Sequence, residues 1–74
     1  MERQGDPLRL LGRRITELRQ ERKMPLETLA SLTGLDPGEL AAIEAGEVDI
    51  SLTMIHRLAR AFGITPEQFL NFLR

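Results

Sequence analysis

The chain has 74 residues, no cysteine and a net charge of −1. That length allows one domain of about 60–65% buried surface, and the missing thiols exclude a disulfide framework or a thiolate metal site. No apolar run approaches the ~18 residues needed to span a membrane, and Met1-Glu2-Arg3-Gln4-Gly5 lacks the apolar core of a signal peptide, so a soluble, cytoplasmic protein is expected.

Charge is unevenly spread. Residues 1–23 carry +3, residues 24–49 carry −6 with no Lys or Arg, and residues 50–74 carry +2. The acidic block coincides with the stretch that organises the chain.

In chain order, Asp6 can cap a first helix with Pro7 at its first position. Leu8, Leu11, Ile15 and Leu18 recur on one face as far as about Arg22. Arg9, Arg13, Arg14 and Arg19 fill the other faces, with Glu17 and Glu21 at pairing distance from basic neighbours. Met24-Pro25 breaks the helix, because a proline pushes the residue before it towards an extended conformation.

A second helix is predicted over about 25–33, with Leu26, Leu29, Ala30 and Thr33 at helical spacing and Gly34 as its stop. Ala30 is small enough to let the next helix approach. Asp36 caps a third helix over about 37–45, and Glu39 can reach back to complete a capping box. Leu40, Ile43 and Glu44 repeat before Gly46. Two short helices joined by a Gly-containing turn over 25–46 form a helix-turn-helix unit.

After a loop from Gly46 to Ile50, Ser51 caps a fourth helix whose expected buried face is Leu52, Ile55, Leu58, Ala59 and Phe62, with Gly63 as its end. Thr65-Pro66-Glu67-Gln68 is a second capping box, opening a C-terminal helix over 66–73 with Phe69, Leu70, Phe72 and Leu73. Phe69 and Leu70 should pack inward. Phe72 and Leu73 either finish the core or form a dimer interface. The fold class is all-α, five helices in one domain over 1–74.

Several chemistries lack their residues. His56 has no second His or Cys to share a metal, so it is read as a structural histidine and no metal is expected. The glycines sit at helix ends rather than in a phosphate loop. Ser31, Ser51 and His56 lack an orienting third group, so the chain is read as a non-enzyme without cofactor.

The runs Leu11-Gly12-Arg13-Arg14-Ile15, Leu29-Ala30 through Gly34-Leu35, Ile43-Glu44-Ala45-Gly46 and Leu58-Ala59 through Phe62-Gly63-Ile64 resemble the Xre-type helix-turn-helix domains of phage repressors and Cro proteins. The resemblance covers about 8–73. It implies the five-helix lambda-repressor-like fold, a dimer, and duplex DNA read by the third helix in the major groove. It also implies a structural ion pair between Arg19 and Glu44.

Carried over to this sequence, the family's DNA-contact positions are Leu26, Asp36, Pro37, Gly38, Glu39, Ala41 and Ala42. Base reading favours Arg, Lys, Asn or Gln, and none of these positions has one. The following loop offers Glu47, Val48 and Asp49 where cations would meet phosphates. Arg13, Arg22 and Lys23 are the candidates for phosphate contact, with Arg9, Arg57 and Arg60 as further basic residues that solvated helix faces also explain. Two functions follow: a dimeric regulator binding double-stranded DNA, or a module that binds no DNA and meets a protein partner through the acidic face of the second and third helices.

Overall fold

The computed structural model describes residues 6–73, with side chains described through Phe72. Helix α1 spans Pro7–Glu21. Asp6 is extended and its carboxylate accepts from the Leu8 amide at 3.0 Å, the cap expected of Asp before Pro. Leu11, Ile15 and Leu18 are buried, while Leu8 is only half-buried. The helix closes through Arg22, and Lys23 takes a left-handed φ of 51°, which lets the Met24 amide return to the Arg19 carbonyl at 3.0 Å.

Helix α2 spans Leu26–Thr33 and α3 spans Pro37–Glu44. Gly34, at φ 78°, turns the chain so that the Leu35 amide donates to the Ala30 carbonyl at 3.0 Å. A left-handed residue in that place is the usual end of a helix, and glycine adopts it without a Cβ penalty. Thr33 is buried, but its hydroxyl donates to the Leu29 carbonyl at 2.9 Å, so burial leaves no unpaired polar atom there.

Helix α4 spans Leu52–Phe62, with the Ser51 hydroxyl accepting from the Met54 amide at 3.1 Å. Leu58, Ala59 and Phe62 are buried and Ile55 is half-buried, but Leu52 is 78% exposed, which corrects its expected place in the core. Helical spacing assigns Leu52 to the same face as Ile55. At the first position of α4, that face has run past the edge of the core.

Helix α5 is one turn, Pro66–Phe69, followed by a 3-10 turn, Leu70–Leu73, rather than a helix running over 66–73. The carbonyls at its end are held from far away in sequence. Arg14 donates from Nε to the Phe69 carbonyl at 3.1 Å and from Nη2 to the Gln68 carbonyl at 2.9 Å. A continuing α-helix would use those two carbonyls for the amides of residues 73 and 72. Phe72 is half-buried and packs against the core; the side chain of Leu73 lies outside the described residues.

The core gathers Ile15, Leu29, Leu40, Leu58 and Phe69, all with no exposure. Phe62 and Phe69 meet at 6.3 Å between ring centroids, tilted by 36°. Each such side chain removed from water contributes about 1.5–3 kcal/mol. α1 packs on α3 and on the C-terminal turn, α2 on α3 and α4, and α4 on α5. Ala30 is buried, but the close approach of α1 to α3 is made at Gly12, where a Cβ would meet the backbone of Glu44 and Ile43.

Candidate nucleic-acid interface

The unit formed by α2, the Gly34-Leu35-Asp36 turn and α3 is held from behind by one polar network. Arg19 grips Glu44 with two bonds, Nε to Oε2 at 2.8 Å and Nη2 to Oε1 at 3.1 Å, and donates from Nη1 to the Met24 carbonyl at 3.0 Å. Thr16 Oγ1 lies 3.1 Å from Glu44 Oε1 and 3.0 Å from the Gly12 carbonyl, so its one hydrogen is shared between them. The side chains of Arg19 and Glu44 are only 18% and 11% exposed. Bidentate geometry out of water is where an Arg–carboxylate pair fixes position best. The hydrogen bonds that Arg19 donates to Glu44 raise the Arg19 pKa above the usual arginine value. Burial opposes that shift, and the charges of Glu44 and Glu27 add to it. One guanidinium therefore ties the end of α1, the α1–α2 turn and the end of α3 together.

α3 presents a small and acidic outer surface. Pro37, Gly38, Glu39, Ala41 and Ala45 are exposed and Ala42 is half-buried. The polar groups at its start are engaged with one another. Asp36 accepts from the Gly38 amide at 2.8 Å, and Glu39 Oε1 accepts from the Asp36 amide at 3.2 Å. The capping box that nucleates the helix thus uses the only side-chain hydrogen-bonding groups on its first turn. Leu26 does not stand free at the start of α2: it is half-buried and packed against the core. The α2 start has Pro25 as its cap, with no side-chain hydrogen bond to the first amides.

The basic residues divide into free and engaged. Arg9, Arg13 and Lys23 are exposed. Arg9 stands beside the α3–α4 loop, because its backbone packs against Gly46, where a Cβ would lie 2.9 Å from the Arg9 Cα. Arg22 is engaged: its guanidinium lies 5.3 Å from the centre of the Phe62 ring, donates to the Leu18 carbonyl at 3.3 Å and is 3.7 Å from Glu21. Arg57 donates to the Thr33 carbonyl at 3.4 Å, supporting the end of α2. Arg60 is exposed on α4, in the groove that Arg57 also lines.

Among the described residues no group of three or more His, Cys, Asp or Glu is placed to hold a metal, and no helix is long and apolar enough to cross a membrane. Gly12, Thr16 and Arg14 carry structural roles that the spacing of apolar residues did not reveal. A glycine inside a helical run was the available signal for the first.

Fold and site together define a small all-α helix-turn-helix domain. The helix-turn-helix family profile matches residues 15–69. No curated protein sequence matches the chain. The crystal structure of the restriction-modification controller protein C.AhdI from Aeromonas hydrophila is similar at 39% identity and a TM-score of 0.80, covering 84% of this chain and 94% of that one. The clp gene regulator ClgR from Corynebacterium glutamicum shares the fold at 22% identity and a TM-score of 0.86, covering 90% of this chain and 71% of that one. The chain belongs to the helix-turn-helix family, which places it among the DNA-binding transcription regulators.

Proposed function

We propose that the protein binds duplex DNA as a homodimer, with α3 in the major groove of each half-site and the first amides of α2 directed at phosphate. The observation that carries this reading is the intact two-helix unit, locked by Arg19 and Glu44, with the outer face of α3 left free. Asp36, Pro37, Gly38, Glu39, Ala41 and Ala42 would lie against bases. Arg13 and Lys23, with Arg9 beside the loop, would meet flanking phosphates. Leu26 packs inward and supports the start of α2 instead of reading a base.

The dimer reading has its own support. Leu52 is exposed on α4, Ile55 lies one turn further along the same face, and Ile55 lines a concavity with Phe72, Leu70 and Leu8. This apolar stripe runs from the α4 start to the C-terminal turn, so a dimer contact would be centred on Leu52, Ile55 and Phe72 as well as Leu73. An isologous contact doubles each of these residues.

The test is fluorescence anisotropy with a mixed-sequence duplex over a salt series. Arg9, Arg13 and Lys23 in two protomers neutralise about six phosphates, so the slope of log K against log salt should be about −5. Absence of binding at the lowest salt would end this reading and leave the acidic face of α2 and α3 as a surface for a protein partner. Leu52→Ser, which removes an exposed side chain, should lower the mass seen by sedimentation at micromolar concentration. An unchanged mass excludes the α4 contact.

A further inference from the structure

A second surface lies beside α3. Leu35, Ala42, Ile43, Ile50 and Met54 form the apolar floor of a cavity of about 340 Å³ between α3, the α3–α4 loop and the start of α4. Glu39 and Asp49 stand on its rim with Ser51. Each carboxylate uses one oxygen internally, Glu39 for the Asp36 amide and Asp49 for the Ile50 amide at 2.8 Å, and the other oxygen of each has no hydrogen-bond partner among the described residues. Every residue lining the cavity falls in the stretch from 24 to 56, which contains no Lys or Arg. α3 and the α3–α4 loop contain no Lys or Arg; the nearest stretch of α1 brings Arg9 beside Gly46, at the other end of that loop from Asp49.

We propose that this cavity is a binding site for a small organic cation with an apolar body, such as an arylalkyl amine. Three features select that class. The volume is that of a small-ligand site, which begins near 300 Å³. An apolar floor takes a ring or alkyl body by removing it from water. The two ionisable groups on the rim are both carboxylates, which attract an ammonium group and repel a carboxylate or phosphate. On the reading that α3 enters a major groove, the ligand also acts on DNA binding. Glu39 and Asp49 oppose phosphate, so a bound cation removes repulsion and raises duplex affinity, and duplex raises affinity for the cation by the same factor.

The test uses three matched probes, phenethylamine, 2-phenylethanol and 3-phenylpropionate, titrated into the full chain and followed by amide chemical shifts. The amine should move Leu35, Ala42, Ile43, Ile50 and Met54 and bind about tenfold more tightly than the alcohol, with no binding of the acid. In Glu39→Gln/Asp49→Asn both internal hydrogen bonds keep an acceptor, so the fold is preserved while the charge is lost, and the amine should fall to the level of the alcohol. Equal binding of all three probes, shifts located elsewhere, or an amine preference that survives neutralisation would overturn the proposal.

Two further outcomes also overturn it by naming another occupant. A capped Lys-Phe-Lys peptide binding about a hundredfold more tightly than the amine would assign the cavity to a polypeptide. Loss of self-association in Ala42→Leu would assign it to a second copy. In the anisotropy assay phenethylamine should raise duplex affinity while methylamine, a cation without the apolar body, lowers it by screening. If both lower it, the coupling is wrong. If no duplex binds at all, the DNA reading fails, and the chemical-shift titration still decides the site.

Discussion

Gly12→Ala tests the packing on which the helix-turn-helix unit depends. In an exposed helix this exchange stabilises by about 1 kcal/mol, because alanine loses less backbone entropy on folding. Here the added Cβ would lie 2.7 Å from both the Glu44 carbonyl carbon and the Ile43 oxygen, and closer still to the Glu44 oxygen. Ordinary contacts lie at about 3.5 Å, and all three obstacles are backbone, so none can rotate away. α3 must retreat by nearly 1 Å. The Arg19–Glu44 bonds, now 2.8 and 3.1 Å, would then exceed hydrogen-bonding distance. Overpacking costs about 1–3 kcal/mol, and losing the charged hydrogen bonds about 1.5–3 more. Set against the gain in propensity, the net loss is about 1.5–5 kcal/mol, out of a total of about 4–11 for a chain of this size. Thermal unfolding followed by circular dichroism should show a Tm lower by on the order of 6–40 °C. A Tm that is unchanged or raised would refute the close approach of α1 to α3.

Other perturbations separate the contributions. Glu44→Gln keeps the shape and removes the charge beneath a mostly buried Arg19, so urea denaturation should show a loss of about 2 kcal/mol. The raised pKa of Arg19 sets the sign of its pH dependence: its contribution is complete below the unfolded arginine value and is lost only as pH rises through the folded one. An Arg19–Glu44 double-mutant cycle should therefore give the same coupling at about pH 7 and about pH 10; a coupling that decays over that range would mean a different cation holds Glu44. Lys23→Gly relieves a left-handed φ of 51° and should stabilise by about 0.5–1 kcal/mol. On the proposed dimer it also removes two phosphate contacts, lowering the salt slope by about 2. Greater stability with an unchanged slope would remove Lys23 from the interface.

The helix boundaries were legible because their determinants are local. Asp6, Asp36, Ser51 and Thr65 cap through their own side chains, and Gly34 and Gly63 end helices within a few residues of the bonds they close. The acidic block was legible for a simpler reason, since charge is visible before any folding. The length of α5 was not, and the Arg14 bonds to its last carbonyls join residues 54 and 55 positions apart, beyond the reach of local spacing. Nor was the exposure of Leu52, because periodicity assigns a face but not the point where the core beneath it ends. Arg22 reads as a free cation in sequence, and only the fold places it over the Phe62 ring.

The chemistry of α3 follows from the way the helix is built. An eight-residue helix has too few internal hydrogen bonds to be stable alone and depends on its caps and on packing. In this chain the cap is Asp36 with Glu39, and the packing is Leu40 and Ile43. Those residues, with Glu44 locked to Arg19, are the ones that folding uses, and the exposed positions Gly38, Ala41 and Ala45, with half-buried Ala42, carry no long polar side chain. The polar side chains that α3 does carry are thus engaged in folding. A duplex held by this surface would be distinguished through thymine methyls against the alanines. It would also be distinguished through the cost of shaping DNA to two half-sites whose spacing the dimer fixes. Specificity in the proposed complex therefore resides more in the geometry of two protomers than in any single side chain of α3, and breaking the Leu52 contact should weaken discrimination between sequences before it abolishes binding.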